Sequence, residues 1–325
     1  MKRLMVLAVT FATALRLAVP AFAQVDGQVI YGDDDRIDLY QTENAKLKSM
    51  ADSTVALMSA SSVKSEGAVS RLVTEPYGTG NGLCKEEPFY DQVTAAFCSG
   101  SLVAPDIIMT AGHCITSESS CTGTKFVFGF AVKEKGKMPT TVATKDVYSC
   151  KQLLGRDQVN DGADWALIKL DRPVTGHAVL KLNLAGTIAN KTPIVVIGHP
   201  AGLPTKIAGG SEVRDASRNG YFTANLDTYG GNSGSAVFNA KTGLVEGILV
   251  RGENDYVYRG GCRVSQVCTN EGCRGEDVTK INEVTAKLPG ARHRGRVSEM
   301  GPSFASLLQS IGAAGDTASV QSSRP

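Results

Sequence analysis

From about residue 54 onward, the sequence breaks into short runs rich in Val, Ile, Leu and Thr, separated by Gly, Pro, Asn and Asp. Such runs are typical of many short β-strands joined by turns. The 35 glycines and only 20% charged residues also fit a turn-rich β protein better than a helical one. We therefore predict an all-β fold, either a sandwich or a barrel. The predicted strands cover 101–103, 107–110, 125–130, 165–170, 193–197, 235–237 and 244–250.

Helical patterns are confined to the C-terminal part, where 278–288 and 303–311 fit short helices. With 325 residues, 42% of them hydrophobic, the chain can build the core of one large all-β domain or two smaller ones. The formal net charge of +2 lacks the concentrated basicity of proteins that bind phosphate backbones, which argues against a nucleic-acid partner.

The first residues have the pattern of an export signal. Lys2 and Arg3 precede an apolar stretch, and residues 21–23 form a small-x-small cleavage site. Arg16 interrupts the apolar stretch and argues against a retained membrane anchor. We therefore expect a signal peptide over 1–23 and a secreted protein, extracellular or periplasmic.

The remaining chain divides by composition into three parts. Residues 24–53 are expected to form a lead-in or short propeptide and the N-terminal arm of the mature protein. Residues 54–289 hold the predicted strands. Residues 290–325 are rich in Arg, Gly, Ser and Ala, which predicts a partly disordered tail.

Eight cysteines follow the predicted signal peptide, and an even number in an exported chain favours disulfides over free thiols. The last three do not have the paired Cys-x-x-Cys spacing usual in zinc sites. We therefore expect disulfides and no metal. The cysteines are Cys84, Cys98, Cys114, Cys121, Cys150, Cys262, Cys268 and Cys273.

A candidate general base is His113, in the sequence Thr-Ala-Gly-His-Cys over 110–114, directly after the apolar residues 107–109. A histidine at the end of a strand can present one ring nitrogen to a cleft, and its ordinary pKa lies near neutrality. The alternative is a structural histidine in a glycine-containing turn.

A candidate orienting acid is Asp164, immediately before the apolar run 165–170. A buried carboxylate bonded to a histidine fixes the tautomer of the ring and stabilises its protonated form. The rival acids Asp161 and Asp171 lie in turns, where solvation is expected. Asp164 itself could simply begin a strand.

A candidate nucleophile is Ser233, in the sequence Gly-Gly-Asn-Ser-Gly-Ser over 230–235. A tight glycine-rich turn can expose the hydroxyl and let backbone N–H groups converge on a developing oxyanion. The expected donors are the amides of Gly231 and Ser233. The alternative is a flexible Gly-Ser turn.

The three motifs together, in the order His, Asp, Ser, resemble the trypsin-like serine peptidase superfamily. The resemblance extends over about residues 97–288 and implies two six-stranded antiparallel β-barrels with a C-terminal helix. Cys98-Ser-Gly-Ser-Leu is similar to the family segment whose cysteine pairs with the one after the histidine, which implies a Cys98–Cys114 disulfide. The resemblance implies a monomer that acts on proteins or peptides without a cofactor.

Within that superfamily, the sequence 231–235 is similar to the bacterial glutamyl endopeptidase branch. Asn232 stands where trypsins carry the acid that receives a new N-terminal amine, so the resemblance implies that the usual zymogen switch is absent. Val29 and the following residues look like the mature N-terminus of that branch.

The expected substrate pocket contains Asp227, Thr228, Val250, Gly252 and Glu276. The resemblance places Asp227 at the acid position of enzymes with basic specificity, and Glu276 near a second wall. Two acids favour Arg or Lys at P1, the substrate residue before the cleaved bond. Thr228 matches a pocket residue of the glutamyl branch and leaves a Glu preference open. Asp227 could instead make an internal contact.

We therefore predict a serine endopeptidase that forms an acyl-enzyme on Ser233. The alternatives are a Glu-preferring endopeptidase, a catalytically silent binding or adhesion module of the same fold, and a hydrolase that acts mainly on esters, since one oxyanion hole serves both ester and amide substrates.

Overall fold

The computed structural model describes residues 29–289, which contain twenty-two strands, four short α-helices and four 3₁₀ helices joined by turns and loops. The first thirteen strands are β1 (Ile30–Tyr31), β2 (Arg36–Asp38), β3 (Thr54–Ser59), β4 (Val63–Glu66), β5 (Val69–Leu72), β6 (Glu75–Pro76), β7 (Val93–Thr94), β8 (Cys98–Ala104), β9 (Ile107–Thr110), β10 (Thr124–Phe128), β11 (Thr141–Ala143), β12 (Val147–Gln158) and β13 (Asp164–Leu170).

The remaining strands are β14 (Pro193–Gly198), β15 (Lys206–Asp215), β16 (Tyr221–Ala224), β17 (Ala236–Asn239), β18 (Val245–Arg251), β19 (Tyr256–Arg259), β20 (Cys262–Ser265), β21 (Val267–Cys268) and β22 (Glu276–Lys280). The helices are α1 (Ala45–Asp52), α2 (Tyr77–Gly80), α3 (Glu118–Thr122) and α4 (Asn282–Thr285).

The first barrel is closed by six antiparallel strands in the order β10-β12-β13-β9-β8-β3. Its β9 and β13 pair directly, with Thr110 opposite Ala166. All four residues of β9 are buried, and so are six of the seven in β13. Their continuous apolar runs are therefore buried on both faces, which places the ends of these strands within the protein rather than on an open edge.

The second barrel has the strand order β14-β17-β18-β22-β16-β15 and closes through the pairing of β14 with β15. Strand β2 adds to the outside of β15. One cluster of buried side chains continues from the first barrel to the second and includes Val55, Ile168, Val195 and Ile248. The prediction of two six-stranded antiparallel barrels is confirmed.

The helix predicted over 278–288 is wrong for its first residues. Val278 and Thr279 lie in β22, between β16 and β18, because their β-branched side chains pack well in a buried sheet. Only α4 is helical in this stretch. The predicted helix over 303–311, the signal peptide and the tail lie outside the described residues.

All eight cysteines form disulfides. Cys98 is bonded to Cys114, as the family resemblance implied. The three cysteines considered for zinc are bonded too, so they have no thiolate to offer a metal. The other pairs are Cys84–Cys262, Cys121–Cys150 and Cys268–Cys273. Within residues 29–289, no helix is both long and apolar enough to cross a bilayer.

The side chain of His177 lies between the carboxylates of Asp52, the last residue of α1, and Asp146, which comes just before β12. Its Nδ1 is 2.9 Å from Asp52 Oδ2, its Nε2 is 3.4 Å from Asp146 Oδ1, and its ring stacks on Phe128. Burial lowers the pKa of His177, but the hydrogen bonds and charges of Asp52 and Asp146 outweigh burial and raise it above the usual 6.5.

Because the folded pKa of His177 exceeds the unfolded one, its contribution to stability is complete below about pH 6.5 and lost as pH rises through the folded value. We expect urea unfolding to show a free energy of unfolding that falls with pH over this window. The His177→Gln variant should show a smaller fall. Parallel curves for the two proteins would contradict the assignment.

Candidate active site

His113 and Asp164 meet where β9 and β13 lie side by side. Asp164, the first residue of β13, is buried, and its Oδ2 is 2.7 Å from His113 Nδ1. Its Oδ1 accepts hydrogen bonds from the backbone N–H of Gly112 at 2.6 Å and of His113 at 3.1 Å. One carboxylate therefore holds both the imidazole ring and the turn that carries it.

Two further residues make this arrangement possible. The side-chain hydroxyl of Thr279 in β22 makes two hydrogen bonds to the backbone of Asp164. It accepts from the N–H and donates to the carbonyl oxygen, both at 2.9 Å. Gly112 leaves no room for a side chain, since a Cβ there would lie 2.1 Å from the carbonyl oxygen of Asp157. Thr279 thus links Asp164 to the second barrel. The sequence pattern placed Thr279 in a predicted helix and therefore did not indicate this contact.

The serine turn packs against the same strand ends. The carbonyl oxygen of Ser233 accepts from Ser99 N at 2.8 Å. A Cβ on Gly234, whose φ is +91°, would lie 2.2 Å from Thr110 Oγ1 and 3.1 Å from Ala111 N. The turn can approach this closely only because residue 234 is glycine. It therefore lies against the segment that leads into His113.

The two amides predicted to hold an oxyanion, those of Gly231 and Ser233, have no hydrogen-bond partner among residues 29–289. The intervening amide of Asn232 donates to the carbonyl oxygen of Tyr229 at 2.9 Å. Its side-chain oxygen accepts from the hydroxyl of Ser235 at 3.2 Å. Asn232 is thus used within its own turn, and the two flanking amides remain available to a ligand.

Glu276 and Gly252 are in contact beside this turn, on the adjacent strand β22 and just beyond the end of β18. A Cβ on Gly252 would lie 1.8 Å from Glu276 Oε2, so only glycine leaves room for the carboxyl group. Thr228 Oγ1 donates to the same oxygen at 3.2 Å. Val250 is buried in the core cluster shared by the barrels. Four of the five predicted pocket residues therefore lie on three neighbouring segments.

Glu276 is fully buried, and its Oε1 has no hydrogen-bond partner among the described residues. Burial raises the pKa of Glu276 well above its usual value, and the hydrogen bond from Thr228 and the polar backbone of Glu253 nearby offset only part of this effect. A buried carboxyl with an unused oxygen is costly unless a donor or a cation reaches it.

Asp227 has other contacts. Its Oδ1 accepts from Tyr31 N at 2.7 Å and its Oδ2 from Asp35 N at 2.8 Å. Burial raises the pKa of Asp227 to about 8, against the opposing effect of these two donors. Both oxygens are therefore engaged by the N-terminal segment, and these contacts favour the internal role over the base of the substrate pocket.

Cys98, His113 and Cys114 bring potential metal-ligand atoms within 4.8 Å of one another. The two sulfur atoms are joined in a disulfide and cannot act as thiolate ligands. This cluster is therefore a disulfide packed beside the histidine and not a metal centre.

Comparison with known proteins agrees with this geometry. Residues 98–248 match the family model of the trypsin-like peptidase domain. The chain is 38% identical to human chymotrypsin-like elastase family member 3A over 105 residues, which are 31% of this chain and 38% of that one. It is 30% identical to the glutamyl endopeptidase of Bacillus licheniformis over 151 residues, 43% of this chain and 45% of the relative.

The chain thus spans about two fifths of the length of the curated relatives it matches. A solved structure of a Glu endopeptidase in complex with MPD aligns with 78% of this chain and 93% of its own, at 18% identity and a TM-score of 0.44. The described residues thus form two closed six-stranded antiparallel barrels. The segment 98–248 is similar to the trypsin-like peptidase domain, and parts of the chain are similar to an elastase family member and to a glutamyl endopeptidase.

Proposed function

We propose that this chain is a secreted serine endopeptidase that cleaves peptide bonds through an acyl-enzyme on Ser233 and prefers Arg or Lys at P1. The observation that carries the proposal is the contact between His113 and Asp164, with the serine turn packed against the same strand ends. Four disulfides support an oxidising compartment, and the export pattern of residues 1–23 supports secretion.

In the proposed reaction, His113 Nε2 takes the proton of the Ser233 hydroxyl as its oxygen attacks the peptide carbonyl carbon. Asp164 holds the ring and stabilises its positive charge. The amides of Gly231 and Ser233 donate to the oxyanion. His113 then returns the proton to the leaving nitrogen as the C–N bond breaks, and water releases the acyl group by the same steps in reverse order.

The preference for a basic P1 residue is supported by Glu276. Its Oε1 is buried without a partner, and a Lys or Arg side chain would bring both a donor and a neutralising charge. A Glu side chain would bring neither a donor nor a positive charge to this carboxyl group. The hydroxyl of Thr228, the residue shared with glutamyl endopeptidases, already donates to Glu276. Strand β18 contains no histidine that could receive an acidic side chain.

The proposal is tested with the purified full-length protein as it is expressed. Its N-terminus and its cleavage sites in a denatured protein are identified together by mass spectrometry, and peptides with Arg, Lys or Glu at P1 are compared. We expect Arg and Lys peptides to exceed the Glu peptide about 100-fold in kcat/KM, equivalent to about 3 kcal/mol. The Ser233→Ala variant is the control and should be inactive.

Two results would contradict the proposal at different levels. A Glu preference would remove the role given to Glu276 but leave the peptidase assignment intact. Absence of both cleavage and labelling by a fluorophosphonate, in a folded wild-type protein, would support a silent binding module. Cleavage of esters without cleavage of peptides would support the esterase alternative.

A further inference from the structure

The backbone that leads into Ser233 accepts or donates hydrogen bonds at three polar groups, each with a partner outside the turn. Gly230 N donates to both carboxylate oxygens of Asp255 at 3.2 Å. The carbonyl oxygen of Gly230 accepts from Ala201 N at 2.5 Å, and that of Gly231 accepts from Ser99 Oγ at 2.8 Å. Each partner comes from a different part of the fold.

These bonds decide where the amide of Gly231 points. In a trans peptide the C=O and the N–H face opposite sides, so the bond between Ala201 N and Gly230 O directs the Gly231 N–H away from residue 201. That N–H has no partner among the described residues. The bond from Ala201 N therefore resists rotation of this peptide directly.

Glycine alone cannot hold this orientation. Residues 230 and 231 are both glycine, and Gly231 has a φ of +93°, so several backbone conformations are accessible to this segment. Rotation of the peptide between them would turn the Gly231 N–H away from the oxyanion. The bond from Ala201 N holds the Gly230–Gly231 peptide, and a contact on the Gly230 N–H holds the peptide before it, so both peptide planes that meet at the Gly230 Cα are fixed.

Asp255 makes that contact. It lies just before β19, and its own carbonyl oxygen accepts from Gln266 N at 2.9 Å, which ties it to the β19–β20 hairpin. That hairpin is joined to the rest of the chain by the Cys84–Cys262 disulfide. The Asp255 side chain is therefore held at the base of a hairpin that a disulfide ties to the rest of the chain.

We infer that Asp255 is a positioning residue that, together with the bond from Ala201 N, keeps the amide of Gly231 directed at the oxyanion by fixing the peptide plane that precedes Gly230. The inference rests on the proposed peptidase function. It assigns Asp255 no contact with the substrate. Its contribution should consequently be seen in the chemical step and not in substrate binding.

The test compares Asp255→Ala and Asp255→Asn with wild type in the full-length protein. Alanine removes the acceptor, whereas the asparagine oxygen can still accept the Gly230 N–H. Loss of an oxyanion donor typically lowers kcat by about 10²–10³-fold. We expect Asp255→Ala to lower kcat about 10²-fold with KM changed less than about threefold, and Asp255→Asn to recover at least tenfold of that loss.

Two further measurements separate positioning from folding. Hydrogen exchange should show faster exchange of the Gly230 amide in Asp255→Ala than in Asp255→Asn. The affinity for a peptide aldehyde, which mimics the oxyanion, should fall in parallel with kcat. Asp161→Asn, at an exposed acid, is the matched control and should leave all three quantities unchanged.

The outcomes are distinct. If the wild type is active and Asp255→Ala keeps kcat within threefold of it, the role of Asp255 is wrong but the proposed function stands. Equal loss of kcat in the Ala and Asn variants would also overturn it, since the acceptor would then not be what matters. A folded wild type without hydrolysis would overturn both this inference and the proposed function.

Discussion

Replacement of Asp164 by Asn is expected to lower kcat for peptide hydrolysis about 10⁴-fold while the protein stays folded. The Oδ1 position accepts two backbone N–H groups, those of Gly112 and His113, so the asparagine oxygen should remain there. Its NH₂ group then faces His113 Nδ1, which must act as acceptor. The ring proton moves to Nε2, and that nitrogen can no longer take the proton of Ser233.

This result is measured with a peptide substrate under saturation, and thermal unfolding checks the fold. Asp161→Asn removes an acid three residues away and should keep full activity. The rate of Asp164→Asn should partly recover at high pH, where hydroxide can deprotonate the serine without the histidine. A rate within tenfold of wild type at neutral pH would show that another residue orients His113.

Replacement of Glu276 by Gln is expected to lower kcat/KM for an Arg peptide about 100-fold. Removing one partner of a buried ion pair costs about 3 kcal/mol or more, which corresponds to this factor. Gln is similar in size to Glu and can still accept from Thr228. A peptide with Ala at P1 does not reach the carboxyl and should change less than about threefold.

The matched control is Glu246→Gln, because Glu246 is also buried in the second barrel. Its oxygens accept from the amides of Asn183 and Asn239, so it is satisfied within the protein. This variant should keep the ratio of Arg to Ala cleavage, even if it lowers the melting temperature. If Glu276→Gln also keeps that ratio, the basic preference has another source or does not exist.

How far the sequence predicts the fold depends on how local the signal is. Strands buried on both faces, such as β9 and β13, carry continuous apolar runs and are predicted almost to the residue. Strand β12 is not predicted, because most of its twelve residues are half-buried or exposed and two bulges interrupt its pairing with β13. Apolar and polar residues therefore do not alternate regularly along β12, and the sequence pattern of a strand is missing.

The same distinction holds for the candidate site. His113 and Ser233 lie in dense local motifs that can be found by inspection. The contacts of Asp227 and Asp255 cannot, because their partners are far away in the sequence. Asp227 binds Tyr31 and Asp35, 196 and 192 residues earlier, and no residue near Asp255 distinguishes it from an ordinary turn acid. Only the folded chain brings these groups together.

The bond of Asp227 to the N-terminal segment also has a consequence for the order of assembly. A contact spanning 196 residues closes a very large loop, and it can form only after most of the chain has been synthesised. The pocket segment around Thr228 waits for the same event, since its N–H donates to the carbonyl oxygen of Val29. A chain that lacks residues 29–35 lacks one half of this junction. Placement of the pocket segment is therefore coupled to docking of the N-terminal segment.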